Sequence, residues 1–173
     1  PVLTKHMVAY AKLHYAFVSN FRSHIAMWPS WTEVVEWYWG VLCDAAKDGA
    51  SVALHHDDDD DMVMYPYRWI VLSLRLLHAT LDRWQRNRPA GTMFAGASGA
   101  QFELQMVDVL LKTYLRLTPT DLERWQAHPE QFAIEEDQGD DELDIRPAAS
   151  ELMRALSRHS FRSGKGAAPE VPN

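Results

Sequence analysis

Two runs of carboxylates are the part of this chain whose residue types and spacing could support chemistry. The first follows two histidines in the segment HHDDDDD at 55–61, and the second places seven acids within ten residues. The acids of the second run are Glu135, Glu136, Asp137, Asp140, Asp141, Glu142 and Asp144. Imidazole and carboxylate groups bind metal ions, and paired carboxylates carry out acid–base catalysis. Each run therefore raises a choice among a metal site, a catalytic acid cluster and a contact surface.

The His–Asp segment resembles the ligand pair of all-α, metal-dependent phosphohydrolases of the HD type, in which His56 and Asp57 would hold the metal. A metal site needs ligands that converge from several fixed elements. The five acids at 57–61 are consecutive, lie between predicted helices and lack the glycine-shaped loop of a calcium site. Five adjacent like charges are typical of a solvated linker. We therefore expect no metal, no cofactor and no catalytic residue here, and we expect that the protein is not an enzyme.

The distribution of charge limits the possible partners. The formal charge is −7, but the twelve acids at 57–61 and 135–144 are half of the 24 in the chain. The remaining twelve acids face 17 Lys and Arg, which leaves a mildly basic framework that carries two acidic inserts. The sequence has no concentrated stripe of basic residues, so we expect no direct nucleic-acid binding. No apolar run reaches the roughly 20 residues of a membrane span. The single cysteine, Cys43, fits a reducing compartment and is expected to be a buried structural thiol.

Apolar periodicity predicts five long helices and no convincing strand, which is an all-α chain. Their predicted bounds are 3–25, 30–48, 67–86, 98–117 and 147–159. The fourth helix has two apolar seams, one through Phe102 and Met106 and one through Leu104 and Leu111, and only a narrow polar stripe. Neighbours on several sides would bury such a helix. Stacked helical hairpins produce this pattern, with the first helix paired to the second and the third to the fourth, and a closed bundle fits nearly as well.

The segment between the fourth and fifth helices predicts two short helices. Thr118–Pro119 is a good helix start, Thr120 and Glu123 form a candidate capping box, and Pro129 breaks the pattern after His128. The predicted anchors of this insert on the scaffold are Leu122, Trp125, Phe132, Arg146 and Pro147. The acids that follow Phe132 would then extend into water. The insert is either a decorated loop or an acidic contact loop for a basic partner.

The stretch DLERWQAHPEQFAIEED, followed by DIRPAASELMRAL, resembles a signature of the importin-β (karyopherin) superfamily of nuclear transport receptors. Upstream, MWPSWTEVVEWYWGVL and YPYRWIVLSLRLLHATL resemble helices of the branch that contains yeast karyopherin one-twenty and importin eleven. The branch often has an aromatic–acid–aromatic run before Arg-Pro, and here 141–144 is DELD instead.

The resemblance implies an α-solenoid of HEAT-like helical hairpins, of which this chain is a middle portion. In that arrangement 1–117 forms two hairpins with an acidic insert near 55–61, 118–145 is the acidic insert, 146–162 is a further HEAT-like helix and 163–173 is a disordered tail. The implied function is transport through nuclear pores, with shuttling between nucleus and cytoplasm. Ran-GTP, basic import cargo and Phe-Gly nucleoporins are the implied partners, and the acids of 135–144 are the predicted partner-facing group. The alternatives are the HD-type phosphohydrolase and a generic helical scaffold.

Overall fold

The structure is a computed structural model that describes residues 2–25, 28, 30–47, 65–84, 96–138 and 144–164. This part of the chain contains helices and no strand, so the predicted all-α class is confirmed. The helices are α1 (Val2–Asn20), α2 (Arg22–Ile25), α3 (Trp31–Lys47), α4 (Tyr67–Trp84), α5 (Gly96–Val109), α6 (Pro119–Ala127), α7 (Pro129–Gln138) and α8 (Ile145–Gly164). A π-helical segment, Leu110–Tyr114, continues α5.

Helix α4 lies at the centre of the packing. It packs most extensively against α8 and α1, and to a smaller extent against α3. Residues on several of its sides are buried. They include Ile70, Leu74, Leu77 and Leu81, whose apolar spacing predicts this helix, together with Trp69, Val71, Leu76 and Thr80. The pairing predicted from chain order, first helix with second and third with fourth, is therefore wrong: in the described part of the chain neither α1 with α3 nor α4 with α5 is among the helix pairs that pack extensively. The physical reason is that α4 has apolar residues on more than one side and can accept neighbours distant in sequence.

Large rings connect α3 to the helices around it. The Tyr38 ring stacks on Trp69 of α4 at a centroid distance of 5.5 Å, and Trp39 meets Phe102 of α5 edge-on at 6.0 Å. His14 of α1 lies edge-on to Tyr38 at 5.7 Å. Aromatic pairs favour such offset and edge-on arrangements. Trp31, Trp39 and Trp69 are buried, whereas Trp28, Trp37 and Trp125 are more than half exposed, so core packing accounts for only part of the tryptophan content.

Two residues of the π-helical segment lie in the core. Its defining bond runs from the Leu115 amide to the Leu110 carbonyl, 2.8 Å long, and so skips one residue more than an α-helical bond. Leu110 and Tyr114 are buried, and the Tyr114 hydroxyl donates to the Leu42 carbonyl at 2.7 Å. Leu104, in contrast, is 70% exposed. The seam through Leu104 and Leu111 was therefore predicted wrongly, because the core lies on the side of Met106, Leu110 and Tyr114. Leu104 precedes the π-helical segment, and apolar spacing on two sides of the helix did not show which side is buried.

The inward face of α1 also differs from the prediction. Apolar spacing predicts an inward stripe on this helix through Leu3, Met7, Tyr10, His14, Phe17, Phe21 and Ile25. Ile25 is buried, but Leu3 and Tyr10 are 74% and 61% exposed, whereas Ala11 and Val18, outside the stripe, are buried against the core. A small side chain at Ala11 suits the extensive contact between α1 and α4. The predicted single helix over 3–25 is interrupted at Phe21, where α1 ends and α2 follows. The Asn20 side chain donates to the Ala16 carbonyl at 2.9 Å, an alternative to the helical bond that favours this end.

Helix α8 is longer than predicted. It begins at Ile145, with Pro147 inside its first turn, where a missing amide proton costs no helical bond. It buries Ile145, Ala148, Leu152 and Leu156. The predicted end at His159 and the predicted tail from 163 are wrong as to residues 163 and 164, which are helical; residues 165–173 lie outside the described part of the chain.

Candidate partner-binding surface

The insert begins with a capping box at the start of α6. The Asp121 amide donates to the Thr118 hydroxyl oxygen at 3.1 Å, and the Thr118 amide donates to Asp121 Oδ2 at 2.8 Å. Pro119 occupies the first turn, where its fixed backbone angle suits a helix. The predicted pair, Thr120 and Glu123, does not form the box, because the chain turns into the helix two residues earlier. The helix start at Thr118–Pro119 is confirmed.

The chain breaks between α6 and α7 as the sequence predicts. Helix α6 ends at Ala127, His128 has a non-helical backbone with φ −144° and ψ 72°, and Pro129 starts α7. Proline disfavours a helical conformation in the residue before it, and it fits the first turn of a new helix. We call residues 118–138 the acidic hairpin, because six carboxylates and one arginine lie within it.

An ion pair attaches the acidic hairpin to the rest of the fold. Arg146 Nη2 donates to Asp121 Oδ2, and each side chain is 17% exposed. The same carboxylate oxygen accepts the Thr118 hydroxyl at 2.6 Å. Arg146 was predicted as an anchor, and this pair gives that prediction its physical basis. Its partner Asp121 was not among the predicted site residues, although an acid at the third position after a capping threonine is a recognisable signal.

The environment of Asp121 favours its ionised form. Partial burial acts to raise the pKa of this carboxyl, but the hydrogen bonds from Thr118 and the positive charge of Arg146 outweigh it and hold the pKa below its ordinary value. The carboxylate is therefore charged across the neutral range. The ion pair therefore joins the first turn of α6 to the first turn of α8.

Two of the predicted apolar anchors are not buried. Leu122 is 42% exposed and Trp125 is 51% exposed, so the expectation that they press into a groove of the scaffold is wrong. Phe132 and Pro147 are partly buried. Helices α6 and α7 pack mainly against each other, and among the described helices no other packs extensively on α6 to cover these side chains.

The predicted acids are only partly within the described chain. Glu135, Glu136 and Asp137 lie in the last turns of α7, and nothing is described of their side chains. Asp140, Asp141 and Glu142 lie outside the described residues. Asp144 is exposed and precedes α8. Their role in partner binding stays a prediction.

Tyr67 is a contact of the insert that the sequence did not indicate. Its hydroxyl donates to Asp144 Oδ1 at 2.9 Å and accepts the Ile145 amide at 3.2 Å. Tyr67, the first residue of α4, thereby binds Asp144, the last acid of the run. The two positions are 77 residues apart in sequence, so no local pattern connects them.

Other candidate groups give no site in the described chain. No group of three or more His, Cys, Asp and Glu could hold a metal ion there, and the predicted His56 and Asp57 lie outside the described residues. Burial raises the pKa of the Cys43 thiol, and the residue is partly buried. A raised pKa disfavours the reactive thiolate. Among the described helices, none is long and apolar enough to cross a membrane.

Comparisons of the chain with protein-family models, with curated proteins and with solved structures find no match. The resemblance to transport receptors accordingly rests on the residues quoted above.

Proposed function

We propose that this chain is a portion of a nuclear transport receptor of the importin-β type, which binds cargo and is regulated by Ran-GTP. The proposal includes the finer fold assignment, an α-solenoid of HEAT-like hairpins, and a location that alternates between nucleus and cytoplasm. The observation that carries it is the acidic hairpin. Two short helices hold a dense set of carboxylates beside the helical body, and the Asp121–Arg146 pair fixes where they start.

The chemistry of the hairpin suits a basic protein partner. An acidic patch attracts a basic surface over a distance set by the ionic strength, and it raises the rate of association more than the final affinity. Import cargo with clustered Lys and Arg, or a basic face of Ran, would meet this requirement. A binding role of this kind involves no catalysis and no cofactor.

Exposed apolar rows support the solenoid assignment. Leu3, Tyr10 and Leu13 of α1 are exposed, and so are Leu104 of α5 and Leu111 of the π-helical segment. In a solenoid each layer buries apolar faces against the layers on either side. Rows of this kind are where further hairpins would pack, and exposed apolar slots between helices would accept the phenylalanines of Phe-Gly nucleoporins.

The test is a binding assay with purified Ran-GTP, a Lys- and Arg-rich import peptide and a Phe-Gly repeat peptide. Neutralising Asp140, Asp141 and Glu142 together (D140N/D141N/E142Q) should weaken binding to the basic peptide and reduce its salt dependence. Asp144 is left unchanged, since it also holds Tyr67.

A matched control removes three charges from another exposed surface. Glu33, Glu36 and Asp44 of α3 are exposed, and E33Q/E36Q/D44N should leave binding unchanged. Equal losses in both variants would mean that only overall charge matters. If neither Ran-GTP nor the Phe-Gly peptide binds the unaltered chain, the transport assignment is wrong, whether or not the basic peptide binds.

A further inference from the structure

The exposed side of α6 carries two large apolar side chains, Leu122 and Trp125, within an acidic stretch of the chain. Leu122 and Trp125 are three residues apart, which places them side by side on one face of the helix. Both keep about half of their surface in water. Every residue from Leu122 to Gln131 is exposed, so the described part of the fold leaves this face open.

The position of Trp125 relative to the ion pair defines the surface further. Trp125 follows Asp121 by four residues, so the two lie one turn apart on the same side of α6. Asp121 contacts Arg146 of α8, yet the indole one turn later stays 51% exposed. The surface therefore begins at a fixed ion pair and opens along α6. A rigid aromatic side chain beside a fixed contact is typical of residues that dominate a protein interface.

Charge selects the chemistry of the occupant. Over residues 118–138 six carboxylates oppose the single Arg124, and exposed Glu123 and Glu130 lie on either side of Trp125 in sequence. Anionic partners such as nucleic acids and acidic lipid surfaces would be repelled. A cationic side chain gains twice at this place, from the carboxylates and from the face of the indole ring.

We propose that Leu122 and Trp125 form the anchor of a docking surface for a basic protein segment that carries one large apolar side chain among Lys and Arg residues. The apolar side chain packs on Leu122 and the indole of Trp125, and the cations pair with the acids of the hairpin. This inference rests on the proposed function, since it names the kind of partner that the acidic insert receives. It adds that affinity comes from the apolar anchor and that the acids contribute attraction and selectivity.

The experiment uses isothermal titration of the full chain with three synthetic peptides. One carries Lys and Arg with a single Phe, one replaces the Phe by Ser, and one keeps the Phe but replaces Lys and Arg by Gln and Ser. The first peptide should bind about tenfold or more tightly than either of the others. Equal binding of the Phe and Ser peptides would show that charge alone acts and would overturn the proposal.

Trp125→Ala should weaken binding of the first peptide by about tenfold. The matched control is Trp28→Ala, which removes another exposed indole, and it should change binding less than about twofold. Because Trp125 is half-exposed, the variant should keep its helix content and its melting temperature, and circular dichroism checks both. Undiminished affinity in the Trp125 variant would contradict the inference.

A second copy of the chain is the competing occupant, because α1 contains Lys5 and Lys12, no carboxylate and an exposed apolar row. Analytical ultracentrifugation over a range of concentrations should find that Trp125→Ala leaves self-association unchanged. Self-association abolished by that variant, without peptide binding, would overturn the inference in favour of a dimer contact.

The two proposals fail separately. Peptide binding through Trp125 with no binding of Ran-GTP or Phe-Gly repeats would remove the transport assignment alone. Binding of Ran-GTP and basic cargo that depends on the acids and not on Trp125 would remove only the present inference.

Discussion

At the scale of single residues, Asp121 is the centre of a small polar network. It caps α6 through Thr118 and attracts Arg146, which is 25 residues away in sequence, so one carboxylate joins the starts of α6 and α8. Hydrogen bonds to a charged group in a partly buried position are stronger than neutral ones. The polar contact therefore positions the hairpin, and Trp125, one turn later on α6, stays exposed.

Arg146→Met should destabilise the protein at neutral pH by about 1 kcal/mol, since it leaves the Asp121 charge without its cation in a position that solvent still reaches. The pKa of Asp121 is depressed in the folded chain, so the pair stabilises the fold above the ordinary carboxyl value of 3.8, and this contribution is lost as the pH falls through the folded pKa. The difference between wild type and variant should accordingly shrink toward pH 3. Urea unfolding at both pH values measures it, with Arg158→Met, an exposed change on α8, as the control.

His14, a basic group, gives the stability of the fold a second dependence on pH. Its Nδ1 lies 2.9 Å from the hydroxyl of buried Tyr38, and burial lowers the pKa of the imidazole below 6.5. The unfolded chain therefore binds the proton more readily, and the stabilising contribution is present above pH 6.5 and declines as the pH falls below it.

We expect that His14→Phe, which keeps a ring against Trp31 and Tyr38, reduces the loss of stability between pH 7 and pH 5. Thermal unfolding of wild type and variant across this range makes the comparison. His128→Phe is the control, because His128 is exposed between α6 and α7. An unchanged pH profile in the His14 variant would show that other histidines carry the effect.

At the scale of elements, tertiary packing explains why the chain forms a π-helical segment at Leu110–Tyr114. Tyr114 faces α3, where its hydroxyl reaches the Leu42 carbonyl. Burial raises the pKa of this hydroxyl, which keeps it protonated and able to donate. Isolated π-helical turns are rare because their bonds are poorly placed, so a compensating contact is expected.

Deletion of Lys112, an exposed residue within the π-helical segment, should restore an α-helical turn and leave Tyr114 facing Leu42, because three α-helical steps of about 100° turn the chain almost as far as four π-helical steps of about 80°. We expect the Tyr114 hydrogen bond to survive and the loss to stay below about 1 kcal/mol in denaturant unfolding. Lys112→Ala keeps the chain length and removes only the exposed pair with Asp108, so it should cost less than about 0.5 kcal/mol. A loss of several kcal/mol on deletion would mean that the π-helical turn itself is needed to place Tyr114.

At the scale of the whole molecule, α4 is the element on which the other helices depend. It lies against α1, α3 and α8, and much of its surface is buried. The outer faces of α1 and α5 have apolar residues in water. The fold is therefore well packed at its centre and open at its sides, which is the arrangement that further layers or partners would complete.

Leu74→Ala should destabilise the chain by about 2–5 kcal/mol, because Leu74 is fully buried between elements that cannot collapse into the cavity. Leu104→Ala removes the same side chain from a position that is 70% exposed and should change stability by less than about 0.5 kcal/mol. Denaturant unfolding of both variants tests the contrast. A large loss for Leu104→Ala would show that its face is covered in solution, for instance by a second copy.

Local sequence signals determined much of this protein. Proline and threonine placed the start of α6, Pro129 placed the break before α7, and apolar spacing found α3 and α4 close to their observed bounds. These features depend on contacts within a few residues, so they can be read from the chain itself. The all-α class follows from them, and so does the position of the acidic hairpin.

Only the tertiary structure decided which faces are buried and what attaches the insert. Apolar residues surround α1, so their spacing did not tell whether Tyr10 or Ala11 faces the core. Apolar residues on two sides of α5 likewise left open whether Leu104 or Met106 is buried. The Asp121–Arg146 pair and the contact of Tyr67 with Asp144 join residues far apart in sequence. Which faces are buried and which distant residues meet depend on packing between elements far apart in sequence. A periodic pattern along one helix carries no information about that packing.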